Sequence, residues 1–219
     1  MRDNLIRRTK KQFASAINKL RERRFGEASE PLYPSVEGNG LRIHLGSGPI
    51  NIQGWVNVDA RHSTHIHVKA TELDLSEFTD GKVSEIYMCH VLEHFSFEEI
   101  NNILKTMNRK LKVGGVLRIS VPDFDQLLAI YSASGKNLEL IKRALMGGQD
   151  YEYNFHKGIF NRQLLTNLLT NYGFNEIKEW NTREDFGISL GDWSEKGFDT
   201  PAGKIPVSLN IKALKAHAL

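Results

Sequence analysis

From Leu41 onward, short runs rich in β-branched and aromatic residues alternate with stretches whose apolar residues recur every three or four positions. This alternation is the strongest constraint on the fold. A strand–helix–strand rhythm is satisfied by a mostly parallel sheet with helices on both faces. Strands are expected at 41–45, 55–59, 65–68, 83–89, 115–121, 175–181 and 206–213. No helical pattern separates the last two, so they are expected to pair antiparallel at one edge. Ser96 and Glu99 form a capping box ahead of a helix that runs through Ile100, Ile103, Leu104, Met107 and Leu111 and closes at Gly114. Asp123, Asn137 and Asn161 are N-caps for three further helices, the last closed by Gly173.

The chain has 219 residues, enough for one main domain with its own core. A single cysteine, Cys89, excludes an internal disulfide and fits a reducing compartment. No apolar run approaches the ~20 residues of a membrane span, and no secretory signal is expected at the N-terminus. Charge is unevenly distributed. Residues 1–25 carry nine Lys or Arg against two acids, a net +7, so with +3 overall the remainder is −4. Residues 1–40 therefore read as a basic helix (3–24) with a Gly/Pro-rich linker, and 41–219 as the main domain. The basic helix suits an anionic membrane surface, an acidic partner, or its own domain. The expected location is cytoplasmic, with peripheral contact at the inner face of the membrane through residues 1–25. Because the rest of the chain is net acidic, no nucleic-acid partner is expected.

In an open parallel sheet, ligands bind beyond the carboxyl ends of the strands. Here those ends read Gly46-Ser47-Gly48, Asp59-Ala60, Asp74-Leu75, Cys89-His90 and Pro122-Asp123. The two glycines let backbone approach a ligand and offer N–H groups to an anion. Asn51 stands where a dinucleotide fingerprint needs its third glycine, which disfavours a dehydrogenase. A carboxylate at Asp59 can accept both hydroxyls of a ribose, and Asp74 beside the Leu75 N–H matches an adenine edge.

Together with Val91-Leu92-Glu93-His94 and Leu111-Lys112-Val113-Gly114-Gly115, these residues resemble class I S-adenosylmethionine-dependent methyltransferases. Three further segments resemble small bacterial predicted methyltransferases often encoded with glycan or surface-polysaccharide genes. They are Gly54-Trp55-Val56-Asn57-Val58-Asp59, Leu117-Arg118-Ile119-Ser120-Val121-Pro122-Asp123 and Asn154-Phe155-His156-Lys157-Gly158-Ile159-Phe160. The resemblance implies a Rossmann-like seven-stranded sheet, mostly parallel, with an antiparallel last strand. It implies S-adenosyl-L-methionine as cofactor, held by Gly46, Ser47 and Gly48 at the methionine end. Asp59 would take the ribose, Ala60 pack near the base, and Asp74 and Leu75 hold the adenine. Cys89 and His90 would line the methionine arm. The chain departs from that class between the first two strands, where about nine residues replace a helix.

A small-molecule or glycan acceptor is expected, methylated on oxygen, with His156 as first candidate base and Asp123 as second. Tyr151, Tyr153 and Trp193 are either an aromatic surface for a sugar ring or core residues. An inactive cofactor-binding regulator and a nucleic-acid or protein methyltransferase are the alternatives. His90-Val91-Leu92-Glu93-His94 also spells H-x-x-E-H, a zinc-protease pattern that requires a helix, yet it follows a β-like run. No metal is expected there, nor at His62, His65 and His67.

Overall fold

The computed structural model describes residues 33–217, apart from 35–37, 39, 71, 72 and 74. The expected basic helix, most of the linker and Asp74 lie outside the described residues. Among the described residues no helix is long and apolar enough to cross a membrane.

The chain forms β1 (Leu41–Leu45), β2 (Val56–Asp59), β3 (Val68–Lys69), β4 (Val83–Cys89), α1 (Phe97–Lys110) and β5 (Leu111–Pro122). It continues with α2 (Phe124–Ala133), α3 (Leu138–Met146), α4 (Arg162–Asn171), β6 (Phe174–Glu179) and α5 (Thr182–Phe186). β7 (Gly197–Thr200), β8 (Gly203–Pro206) and β9 (Ser208–Lys215) complete it. Seven strands form one sheet in the order β3-β2-β1-β4-β5-β9-β6, while β7 and β8 pair separately. β1 to β5 run parallel, and β9 slots antiparallel between β5 and β6. This is the expected Rossmann-like α/β fold with an antiparallel last strand.

The caps act as their chemistry requires. Ser96 and Glu99 exchange side-chain-to-backbone bonds at the start of α1, and Asp123, Asn137 and Asn161 cap α2, α3 and α4. Several boundaries differ from expectation; β3, expected at 65–68, is only Val68–Lys69. α1 stops at Lys110 rather than Gly114, because Leu111 already pairs with Val83 as the first residue of β5. The register shift that follows is absorbed at Gly114, whose φ is +72°. The last two sheet strands are also not directly joined, since α5 and the β7–β8 hairpin lie between them.

Alternation along the strands sends neighbouring side chains to opposite faces. Ile86, Met88, Leu117 and Ile119 fill one face. α1 packs against β5 and α4 against β6, with Ile103, Leu104, Leu165 and Leu169 buried. The other face carries His44, Tyr87 and Arg118. The β1–β2 connection has no helix to cover it. Instead the segment after β6 does so: Trp180, Phe186 and Leu190 pack on Trp55, Ile52 and Tyr87. Trp180 meets the Tyr87 ring edge-on at 5.4 Å, and Phe186 lies 5.6 Å from Trp55. Beneath this aromatic cover Arg118 pairs with Glu85 and Asp185, and Lys212 reaches Asp185 at 2.6 Å.

Candidate functional site

Parallel register brings the ends of β1, β2, β4 and β5 to one rim, with Leu45 level with Val58 and Met88, and Cys89 level with Ser120. The turn leaving β1 folds back on β2. The N–H groups of Gly46 and Ser47 donate to the Val58 carbonyl at 2.7 and 3.2 Å. The Gly48 N–H donates to Asp59 Oδ2 at 2.8 Å. Asp59 Oδ1 accepts from the Arg61 N–H at 2.8 Å and lies 3.5 Å from the Arg61 guanidinium. His65 Nε2–H closes the turn on the Gly48 carbonyl at 2.8 Å.

This corrects one expectation: the backbone N–H groups of Gly46, Ser47 and Gly48 are all engaged within the protein. With no helix after the turn, they donate to Val58 and Asp59 of β2 and do not form an anion nest. Gly46 is required for space. Its φ is +65°, and a Cβ there would lie 2.3 Å from Val91 Cγ2. The free polar atom of the turn is Ser47 Oγ, buried and without a hydrogen-bond partner.

Two cavities open along the rim, of about 530 and 270 Å³. The smaller is lined by Asp59, Ala60, Leu73, Val91 and Phe95, the larger by His44, Ser47, Gly48, Cys89, Asp192, Trp193 and His156. Gly46, Arg61, His90, His94 and Tyr151 line both. Of the expected site residues, Leu75 and Asp123 line neither. Leu75 is 2% exposed, packed in the core. Asp123 spends its carboxylate on the Asp125 N–H at 3.1 Å as the α2 cap, and burial raises its pKa. Its expected role toward an acceptor therefore gives way to a structural one.

The opposite wall comes from two segments that alternation alone does not reveal. Residues 147–157 form a strap. The His156 N–H donates to the Met146 carbonyl, and the Lys157 and Gly158 N–H groups both donate to the Glu93 carbonyl at 2.7 and 2.9 Å. The Gly147-Gly148 break hinted at it. The second segment, 188–196, is held by carboxylates. Asp192 accepts from Tyr87 Oη at 2.5 Å, and Glu195 accepts from Ser189 Oγ, the Gly191 N–H and Thr182 Oγ1. Its clearest sequence signal is the pair Asp192-Trp193. Arg61 lies 5.3 Å over the Tyr151 ring and links the two walls.

Where the strap meets the end of β4, three histidines surround Glu93. Glu93 is 1% exposed, and neither of its carboxyl oxygens has a hydrogen bond. Its Oε1 lies 3.3 Å from His90 Nδ1 and 4.0 Å from His156 Nε2. Burial pushes the Glu93 carboxyl up to about 8 and the His90 and His156 imidazoles down to about 3 and about 4. Trp193 stacks on His90 at 5.5 Å. Burial raises the Cys89 thiol pKa, so the thiol stays protonated and is no nucleophile. His65 and His67 are spent on Gly48 and Asn57, and His62, His65 and His67 form no metal-ligating group among the described residues.

The chain matches no protein-family model and no curated protein. Among solved structures, it is similar to an S-adenosylmethionine-dependent methyltransferase from Archaeoglobus fulgidus. Identity is 16%, the match covers 91% of this chain and 94% of that one, and the TM-score is 0.52. Another similar structure is an S-adenosylmethionine-dependent methyltransferase from Methanosarcina mazei, at 18% identity over 84% of this chain and 98% of that one, with a TM-score of 0.48. The first likeness shows that this chain has the methyltransferase-type Rossmann-like fold.

Proposed function

We propose that the chain is an S-adenosyl-L-methionine-dependent methyltransferase acting on an oxygen of a saccharide or glycolipid intermediate. The observation that carries this reading is the pair of cavities on the carboxyl rim, with Asp59 in the smaller and a shared wall between them. Asp59 already accepts from two backbone N–H groups. A carboxylate has about four lone-pair positions, so two remain for a ribose diol. Ala60, Leu73, Val91 and Phe95 supply apolar faces for a purine. Toward the larger cavity, Ser47 Oγ is an unused polar partner, and Arg61 brings a positive charge for a carboxylate. These residues fit the cofactor, with the methionine end held by side chains.

When bound, the cofactor supplies a methyl group already activated on a positive sulfur. The chain's own task is then alignment and exclusion of water. Tyr151 and Trp193, 40% and 42% exposed at the cavity, offer aromatic faces of the kind on which sugar rings rest. His156, the first candidate base, lines the same cavity, whereas Asp123 does not.

Calorimetry with S-adenosylmethionine and its demethylated product tests the cofactor half. Wild type should bind both, Asp59→Ala should bind at least about tenfold more weakly, a loss of ~1.4 kcal/mol, and a Ser134→Ala control should match wild type. No binding by wild type, or equal binding by Asp59→Ala, overturns it. Sugar nucleotides and lipid-linked saccharides screened for the mass gain of one methyl group test the acceptor half.

A further inference from the structure

We infer that Glu93, His94 and His156, with His90 beside them, form a binding site for one divalent first-row transition cation, open to the larger cavity. The inference does not depend on the transfer reading. Its first support is convergence: one ligand atom from each of Glu93, His94 and His156 lies within 4.8 Å of the others.

Its second is the state of the rings. His156 Nδ1 bonds the Ala144 carbonyl at 3.1 Å, and His94 Nδ1 bonds the Phe155 carbonyl at 3.3 Å. A carbonyl only accepts, so each Nδ1 carries the hydrogen and each Nε2 keeps a bare lone pair. Ser208 gives its one hydroxyl proton to the Trp193 carbonyl at 2.8 Å, and therefore accepts from His90 Nε2 at 2.8 Å. That leaves His90 Nδ1 bare, facing Glu93 Oε1. Each of the three rings is thus anchored through one nitrogen to a protein oxygen and presents the other inward. Metal-ligating histidines are held in this way.

The third support is Glu93 itself. Its carboxyl group is buried with no hydrogen bond to either oxygen and faces bare nitrogen lone pairs, an acid that holds its proton until a cation takes its place. A cation that displaces this proton binds the carboxylate and the lone pairs together. The backbone adds rigidity, because the Glu93 carbonyl also ties down the strap that carries His156.

The donors come from a strand-exit turn and a strap. Leu92–His94 is a single 3-10 turn, so the helical zinc-protease arrangement is absent. Imidazoles with one carboxylate suit zinc, manganese or cobalt, and not magnesium or calcium, which prefer all-oxygen sets. His90, His94 and His156 all line the larger cavity, so a bound ion keeps a coordination position open to an oxygen ligand.

The test uses the full chain without a histidine tag, stripped with chelator and titrated with cobalt(II). Wild type should take up one cobalt per chain by elemental mass spectrometry, with visible d–d absorption displaced by zinc, and zinc should raise its thermal midpoint. His94→Ala, His156→Ala and Glu93→Gln should each weaken cobalt binding at least tenfold, while His62→Ala should leave it unchanged. If Glu93→Gln fails to fold by circular dichroism, the two histidine variants decide. Cobalt bound without d–d absorption, in less than stoichiometric amount, or equally by wild type and the His94→Ala/His156→Ala double variant, overturns the inference. Because cobalt is read without cofactor, this outcome is independent of the calorimetric test of S-adenosylmethionine binding.

Discussion

On the β1–β2 side of the rim, residues 46–61 are held by backbone. Gly46 and Ser47 share one carbonyl, Gly48 and Arg61 share one carboxylate, and little space separates the turn from Val91. On the far side, residues 188–196 are held by side chains reaching across open ground, from Glu195 to Ser189 and from Asp192 to Tyr87. The near side is a tight, prebuilt turn. The far side is an adjustable wall with surface-exposed aromatics. In the proposed reading the same division separates an invariant cofactor from an acceptor that chooses among hydroxyls.

The sharpest way to break this comparison is to put the same substitution on both sides. Gly46→Ala meets both a positive φ and a Cβ clash at 2.3 Å. It should cost about 3 kcal/mol of stability in urea denaturation, combining strain and overpacking. Gly191→Ala has a similar φ of +69° but nothing within 4 Å. It should cost only about 1 kcal/mol, and equal losses would erase the distinction. Asp59→Asn follows in size. Its amide can satisfy one of two donors, so cofactor affinity should fall about tenfold, ~1.4 kcal/mol, by calorimetry. Trp193→Ala should raise the acceptor KM several-fold, roughly 1 kcal/mol, and leave cofactor affinity within about twofold.

The smallest effect lies in acid. Burial lowers the His44 pKa from 6.5 to about 4, so folding requires the neutral ring. Between pH 6.5 and about 4 the unfolded chain binds the extra proton, and stability falls as pH falls. His44→Phe should flatten that decline, by up to about 1 kcal/mol at pH 6, in denaturation curves run at pH 7 and 6. Parallel declines in the two proteins would count against a neutral His44.

How much of this could be read in advance follows the same division. The strands β1, β2, β4 and the caps at Ser96, Asn137 and Asn161 rest on local patterns: alternation, and a short polar side chain before a helix. Asp59 and Gly46 sit at strand ends, where topology alone puts chemistry. The far wall is tied to the sheet by a bond between residues more than a hundred positions apart, Tyr87 with Asp192, and no local period records it. Glu93 was legible only as part of a five-residue string. His90 and His94 stood in the same string, but the strap that brings His156 to them is set by long-range contacts that the string does not record. The engaged N–H groups of the glycine turn escaped for another reason: two glycines predict a tight bend, but not which acceptor the bend closes on.

The aromatic cover over Trp55 and Tyr87 has a consequence for synthesis on the ribosome. The rim of the sheet begins with strands made early, yet the residues that seal its sheet, Trp180, Phe186 and Leu190, are translated more than ninety codons after Tyr87, and β9 must still insert between β5 and β6. A nascent chain paused anywhere between therefore displays an open sheet edge and a bare aromatic face, the two features most prone to wrong partners. Chaperone demand should peak in that window and collapse once residues 180–215 have cleared the exit tunnel.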